Sequence, residues 1–386
     1  MKAKKLVKLF ILLILSIIIL FLTALYIYDP LQVFHKSWRK DILFNKNMRQ
    51  QAVGIINHYS FDSVIFGTSM LENTSADEAS KLFGENFVNI SMSASDFFER
   101  RLVLDYLLEH KRIKTVIYSL DTDKYVYQIH GNSKYPLENY SYLYDANPLN
   151  DIKVYLNSQY LKCLMKLSSS QKCIGDRKGL DRPTAWYQYK DHSVRFGGLD
   201  KWFAAKNNTQ IQNAFRSISS TAKKVNDRKS ISLVNMDKKI SKAKDYINRY
   251  IIEVVKKHPK TNFLMAFPPY SRIYYARWAQ YDKPAFKIHQ AIVKYLAHKS
   301  EEFDNLSIYG FEDRNFVDDI ANYKDPKHYH QSINSLMLKN ILENKGLLNS
   351  SNVNLYLQTS KSKALDFDLI GLGKKIDIYL KLNRTK

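Results

Sequence analysis

Ser69 stands where a hydroxyl could be made to react. It follows a short apolar run, Ser63-Val-Ile-Phe66, and Gly67, and Asn73 comes four residues later. The run reads as a buried strand. Gly67 permits a sharp turn, because glycine tolerates backbone angles that other residues resist. Ser69 then falls where a helix would begin, with Asn73 on the same helical face. The unpaired N–H groups of a helix start can hold negative charge as it develops on a reacting oxygen. A plainer reading is that Thr68 or Ser69 only caps the helix.

A serine hydroxyl is a poor nucleophile until a base takes its proton, and histidine is the usual base near neutral pH. Asp325-Pro-Lys-His-Tyr-His330, close to the other end of the chain, offers one in His328. Asp325 can turn its carboxylate against that imidazole and fix its tautomer. The oxyanion donors would be the Ser69 N–H, an N–H from the turn holding Ser93 and Ala94, and the Asn73 side chain. Chemistry of this kind requires no cofactor and no metal. The competing possibility is that His330 joins His328 and Asp325 as metal ligands, although no further His or carboxylate cluster accompanies them.

Residues so distant in sequence can meet only if the fold brings them to one edge. Strand and helix patterns alternate along the chain. Further strands are expected at 87–90, 115–120, 262–267 and 306–310, and helices at 97–110, 236–258, 284–299 and 332–345. This predicts an α/β fold: a three-layer, doubly wound, mostly parallel five-stranded sheet of the flavodoxin-like kind. Ligands bind such sheets at the carboxyl ends of the strands. Ser69 follows the first strand, Ser91-Met-Ser-Ala-Ser95 the second and Asp121-Thr-Asp123 the third. Pro268-Pro269-Tyr270-Ser271 follows the fourth, and Asp325 and His328 come beyond the fifth.

The pattern lapses over 124–230, where tyrosines cluster at 135–144 and Gly197-Gly198 precedes Trp202 and Phe203. An irregular insertion over the sheet is expected there, serving as a lid or substrate groove or simply held down by its aromatics. Residues 213–229 read as a flexible joint. The α/β domain is placed at 61–349, behind a juxtamembrane segment at 31–60. The tail, 350–386, has alternating stretches around Leu355 and Ile378 that suggest a small hairpin.

Residues 9–27 are apolar apart from Ser16 and Thr23, about 19 residues and long enough to cross a bilayer. Lys2, Lys4, Lys5 and Lys8 precede them, which predicts a single-pass anchor within 1–30, a cytoplasmic N-terminus and an exported domain. A cleaved signal peptide is the alternative, but no Ala-x-Ala site follows. The composition, 45% hydrophobic and 25% charged, is globular. With 59 Lys+Arg against 37 Asp+Glu, the formal charge of +22 favours an acidic partner. No zinc-finger, RNP or helix-turn-helix signature points to nucleic acid. Cys163 and Cys173 could form one disulfide if the domain is exported.

Gly67-x-Ser69-x-x-x-Asn73 after the first strand, with Asp325-x-x-His328 near the end, resembles the SGNH/GDSL hydrolase superfamily. The resemblance covers roughly residues 60–125 and 260–345. It implies Ser69 as nucleophile, His328 as base and Asp325 as the acid that orients it. The family's membrane-anchored branch adds, removes or transfers acyl groups on cell-surface polymers. An acidic envelope glycopolymer, a membrane-bound acyltransferase partner and a bacterial-type cell membrane are therefore the implied context. The family's second block normally supplies a glycine N–H, where this chain has Ser91-Met92-Ser93-Ala94. Its third block normally supplies an asparagine, where this chain has Asp121 or Asp123. A non-catalytic assembly factor that holds such a polymer is the rival expectation.

Overall fold

A computed structural model of the protein describes residues 2–121 and 135–382. Asp123 and the start of the expected insertion lie outside the described residues. Six strands form one sheet: β1 (Ser63–Phe66), β2 (Phe87–Asn89), β3 (Thr115–Ser119), β4 (Asn262–Ala266), β5 (Leu306–Tyr309) and β6 (Leu347–Leu348). Their spatial order is β2-β1-β3-β4-β5-β6. The five expected strands are parallel, with Val64 opposite both Val88 and Val116, and Val116 opposite Phe263. The sixth, antiparallel to β5, extends the edge. At two residues it is too short to leave a period in the sequence.

Alternation within each strand explains why both faces are covered. Val64, Phe66, Val116, Tyr118, Phe263, Met265 and Ile308 belong to one apolar cluster. Ile65, Ile117, Ala266 and Tyr309 belong to a second. A sheet that is apolar on both sides must be buried on both sides.

The helices used below are α1 (Lys2–Tyr28), α2 (Met48–His58), α3 (Ala76–Phe83), α4 (Phe97–His110), α5 (Thr209–Asn226), α6 (Met236–Ile247), α7 (Arg272–Gln280), α8 (Lys283–Lys299), α9 (Gln331–Leu342), α10 (Val353–Asp366) and α11 (Leu369–Leu382). Side chains of α2, α4, α6 and α8 join the first cluster. Those of α3, α5, α7, α9 and α11 join the second.

Helix α1 is long and apolar enough to cross a membrane, with a mean hydropathy of 3.0 and most of its side chains exposed. At its base the chain is bolted down. The Asp29 carboxylate accepts the N–H groups of Val33, Phe34 and His35 at 2.9, 2.9 and 3.0 Å, and the Tyr155 hydroxyl as well. A short antiparallel ribbon, Leu43–Phe44 against Arg177–Lys178, joins the segment after α1 to the insertion. Cys163 and Cys173 are disulfide-bonded within that insertion.

Two expectations are corrected. The joint expected at 213–229 is mostly helix: α5 buries Ile211, Ala214, Phe215, Ile218 and Ala222 along one stripe. Its N-terminus is capped by Asn208, whose side chain accepts the Gln210 and Ile211 N–H groups. Polar residues on the other face hid that stripe. The expected C-terminal hairpin is instead the helix pair α10 and α11. Val353, Tyr356, Leu357, Ser360 and Ala364 are buried at helical spacing, so the local alternation around Leu355 was the misleading signal.

Helix α11 lies close on α5 at Gly373, where an added Cβ would come 2.3 Å from Ala222 Cβ. Gly373→Val should therefore force the helices apart, at a cost of about 1–3 kcal/mol. A lower urea midpoint with an unchanged slope is the expected readout.

Candidate active site

The turn after β1 is held from beneath. The Gly67 N–H donates to Ser91 Oγ at 3.1 Å, and the Gly67 carbonyl accepts the Met92 N–H at 2.8 Å. A Cβ on Gly67 would meet Ser119 Oγ at 2.5 Å, so glycine is required here for close approach rather than for an unusual backbone angle. Residues 69–73 form hydrogen-bonded turns and not the expected helix start. The helix, α3, begins at Ala76 and is capped by Ser75, whose hydroxyl accepts the Glu78 N–H at 3.0 Å. Thr68 fixes the turn by accepting the Met70 N–H at 3.3 Å. The Ser69 hydroxyl is left for other use.

That hydroxyl lies 3.0 Å from His328 Nε2. On the other side of the ring, His328 Nδ1 lies 2.9 and 3.0 Å from the Asp325 carboxylate oxygens. An ionised carboxylate can only accept, so Nδ1 carries the proton and Nε2 is free to receive one from serine. The loop bearing His328 is closed by a bridge between Tyr323 and Tyr329 and by the Lys324 N–H donating to the His328 carbonyl at 3.0 Å. It is then pinned to the serine turn, since Tyr329 Oη and Asn334 Nδ2 both donate to the Met70 carbonyl at 2.9 Å.

Burial holds the His328 imidazole below the ordinary value of 6.5; Lys324 and Lys327 push the same way and Asp325 opposes them. Burial would raise the Asp325 carboxyl. His328, Lys324 and the Lys327 N–H outweigh it and hold Asp325 well below the usual carboxylate range. The resting pair at neutral pH is thus a neutral imidazole and a carboxylate, the protonation state required of a general base.

The other expected residues are placed as follows. Asn73 is buried, and its Oδ1 accepts the N–H groups of Trp186 and Tyr187 at 3.0 and 3.3 Å. That pairing fixes the amide orientation and leaves Nδ2 as a buried donor with no protein partner. Ala94 has a left-handed φ of 55°, a conformation that favours glycine. The Ser91, Met92 and Ser95 N–H groups go to Asn89, Gly67 and Met92 respectively, and that of Ser93 faces Glu72. The Ser93 carbonyl accepts from Arg49 Nη1 at 3.0 Å. Asp121 is buried beneath the serine turn, accepting Thr68 Oγ1 at 2.8 Å and Ser119 Oγ at 2.6 Å, with Arg100 at 3.6 Å. Its carboxylate is committed to holding that turn. His330 is drawn off to cap α9, with Nδ1 2.9 Å from Ser332 Oγ.

Three residues of the site escaped the sequence reading. Trp186, in the insertion, donates its indole N–H to the Ser69 carbonyl at 2.9 Å and packs edge-on against His328 at 5.5 Å. Lys324 lies 3.3 Å from Asp325 Oδ2. Glu72 is buried within the serine motif itself. Its neighbour Asn73 drew notice through helical spacing, whereas a buried glutamate announces itself only through its surroundings. Comparisons of this chain with protein-family models, curated proteins and solved structures find no match.

Burial pushes the Glu72 carboxyl up to about 8, against the opposing pull of Arg49, the Ser93 N–H and Lys324. A carboxyl raised on folding gives stability that is complete below its unfolded value and lost as pH rises through the folded one. Glu72→Gln removes that dependence. Its melting temperature relative to the parent should climb between about pH 5 and pH 8, as thermal melts across that range would record.

Proposed function

We propose that this chain is an exported, membrane-anchored serine esterase or O-acyltransferase of the SGNH type. Its substrates would be ester-linked acyl groups on a cell-envelope polysaccharide or a related anionic polymer. The observation that carries the reading is the pair of hydrogen bonds running from Ser69 Oγ through His328 to Asp325. As Ser69 Oγ bonds to the acyl carbonyl carbon, its proton passes to His328 Nε2, and Asp325 steadies the imidazolium. Negative charge then builds on the carbonyl oxygen, for which the Ser69 N–H and the partnerless Asn73 Nδ2 would be donors. The imidazolium returns the proton to the departing alkoxide and leaves an acyl-serine. Water then gives hydrolysis, or a second hydroxyl gives transfer, with His328 again taking the proton.

The remaining elements fit this reading. Ala94, left-handed where the family carries glycine, supports matching its turn to the family's second block. The +22 charge suits an acidic polymer, and large exported domains translocate largely regardless of their own charge. The lysines before α1 and the disulfide in the insertion favour an outward-facing domain, since disulfides persist in oxidising compartments. If the reaction is transfer, a membrane-bound acyltransferase would be the natural source of the acyl group.

A second reading, a non-catalytic factor that holds the polymer, is favoured by Asp121 at the family's asparagine position and by the Ser93 N–H facing Glu72. Polymer binding and cellular function that survive both Ser69→Ala and His328→Ala would select it.

A fluorophosphonate probe should label the purified full-length protein, and Ser69→Ala should abolish the labelling. His328→Ala should slow it by about a thousandfold. Because the His328 pKa lies below 6.5, labelling should stay high at neutral pH and fall only as pH drops below that value. Absence of labelling in a folded parent would overturn the enzymatic reading. In intact cells, treatment with a membrane-impermeant reductant followed by maleimide labelling under denaturing conditions should modify Cys163 and Cys173, and omission of the reductant should not, which checks both the disulfide and the orientation.

A further inference from the structure

Lys324 is almost wholly buried, at 1% exposure, an expensive place for an ammonium unless it has partners. Its partners come from two directions. Nζ lies 3.3 Å from Asp325 Oδ2, the oxygen nearer to His328. It also donates to Gln210 Oε1 at 3.3 Å and sits 4.5 Å from the centre of the Trp186 ring. Gln210 and Trp186 both belong to the insertion, whereas Asp325 follows β5. The other Asp325 oxygen already accepts the Lys327 and His328 N–H groups at 2.9 and 3.1 Å. The ammonium therefore completes the set of contacts that fixes the carboxylate plane.

Resting on the esterase reading above, we propose that Lys324 is the positioning residue of the triad, through which the insertion holds Asp325 against His328. The insertion is then a structural part of the catalytic machinery rather than a cover laid over a finished site.

The charges around His328 define what removal of this ammonium should do. Asp325 attracts the imidazolium, while Lys324 and Lys327 repel it. His192 stands close by, held down at about 4 by burial and by Lys324 and Arg195, so it is neutral where the site would work. Arg195 is tied to Asp191 and to Gln210 Oε1, at 3.5 and 2.8 Å. Glu72, pushed up to about 8, is largely neutral at neutral pH. Lys324 is thus a main source of positive charge beside the imidazole. Its loss would remove a repulsion that holds the His328 pKa down, while release of Asp325 would remove the attraction that holds it up, so the His328–Asp325 bond itself is the quantity to read.

Lys324→Met tests this by two readouts on the full-length protein in detergent. The first is the downfield Nδ1–H resonance of His328 by NMR at neutral pH, identified by its loss in His328→Gln. The second is the rate of fluorophosphonate labelling across pH. The expected result is a parent resonance that weakens or disappears in Lys324→Met, with a several-fold loss of labelling that a change of pH does not recover. Lys324→Arg should bring both readouts back towards the parent. Should the methionine variant fold poorly, Lys324→Gln replaces it with the same expectation. A parent-like resonance in a folded variant would overturn the proposal, as would a labelling loss that a shift of pH restores in full, since that is the effect of charge alone. If the parent never labels but the resonance is lost in Lys324→Met and restored in Lys324→Arg, the positioning role stands and the enzymatic reading alone falls.

Discussion

The carbonyl oxygen of Met70 is the point on which the site turns. Tyr329 and Asn334 both donate to it, one on each side of the boundary between the His328 loop and α9. Ser69 and His328 lie 259 positions apart in the chain, and their 3.0 Å contact requires two loops to be registered to within a fraction of an ångström. A parallel sheet brings the carboxyl ends of β1 and β5 to one edge, but loops beyond strands are otherwise free to wander. The two bonds to Met70 remove that freedom beside the Ser69 hydroxyl. From the opposite side, Trp186 grips the carbonyl of Ser69 itself.

Around this point the molecule buries an unusual amount of charge, in three groups with different tasks. Asp121 with Arg100 lies under the serine turn and fixes Thr68 and Ser119. Arg49 with Glu99 stands behind the second turn, at 2.7 Å, and the same guanidinium accounts for the Ser93 carbonyl. Lys324 with Asp325 holds the His328 imidazole. A buried ion pair rarely stabilises a fold more than apolar packing of the same volume would. Three of them along one sheet edge are better understood as fixing geometry, because each holds a group in the turns after β1 and β2 or in the His328 loop. Their arrangement also separates Glu72 from the others: a carboxyl driven by burial towards its neutral form, three residues from Ser69, with Arg49 and Lys324 both within electrostatic reach.

What was legible in the sequence follows from what leaves a period. The five parallel strands, the serine after the first and the Asp/His pair after the fifth could be read because continuous apolar runs and glycine-bounded turns are local signals. Helices α5, α10 and α11 were misread because their polar faces are long and their apolar stripes narrow, so that short alternations stood out more than the helical repeat. The role of Gly67 was mistaken in kind: its backbone angle is ordinary, and only the proximity of Ser119 in space explains why a side chain could not fit. Lys324 and Trp186 carry no sequence signal. A lysine beside an aspartate and a tryptophan in an irregular stretch acquire meaning only when the insertion is folded against the sheet.

That insertion also resolves how the anchor and the site are connected. At one end it supplies Tyr155, which bonds Asp29 at the foot of α1, and the strand that pairs with Leu43–Phe44. At the other it supplies Trp186 and Gln210 to the Ser69 carbonyl and to Lys324. The insertion is therefore tied both to the base of the membrane-compatible helix and to the edge that carries Ser69 and His328. Tyr155 and Trp186 come from its short or irregular stretches and Gln210 from the first turn of α5, so these contacts lie in several directions. The aromatic content has the same origin. Tyr155 and Trp186 each bury a large apolar surface while still offering a hydrogen bond at a fixed distance, which lets one segment be held firmly at widely separated points without a core of its own.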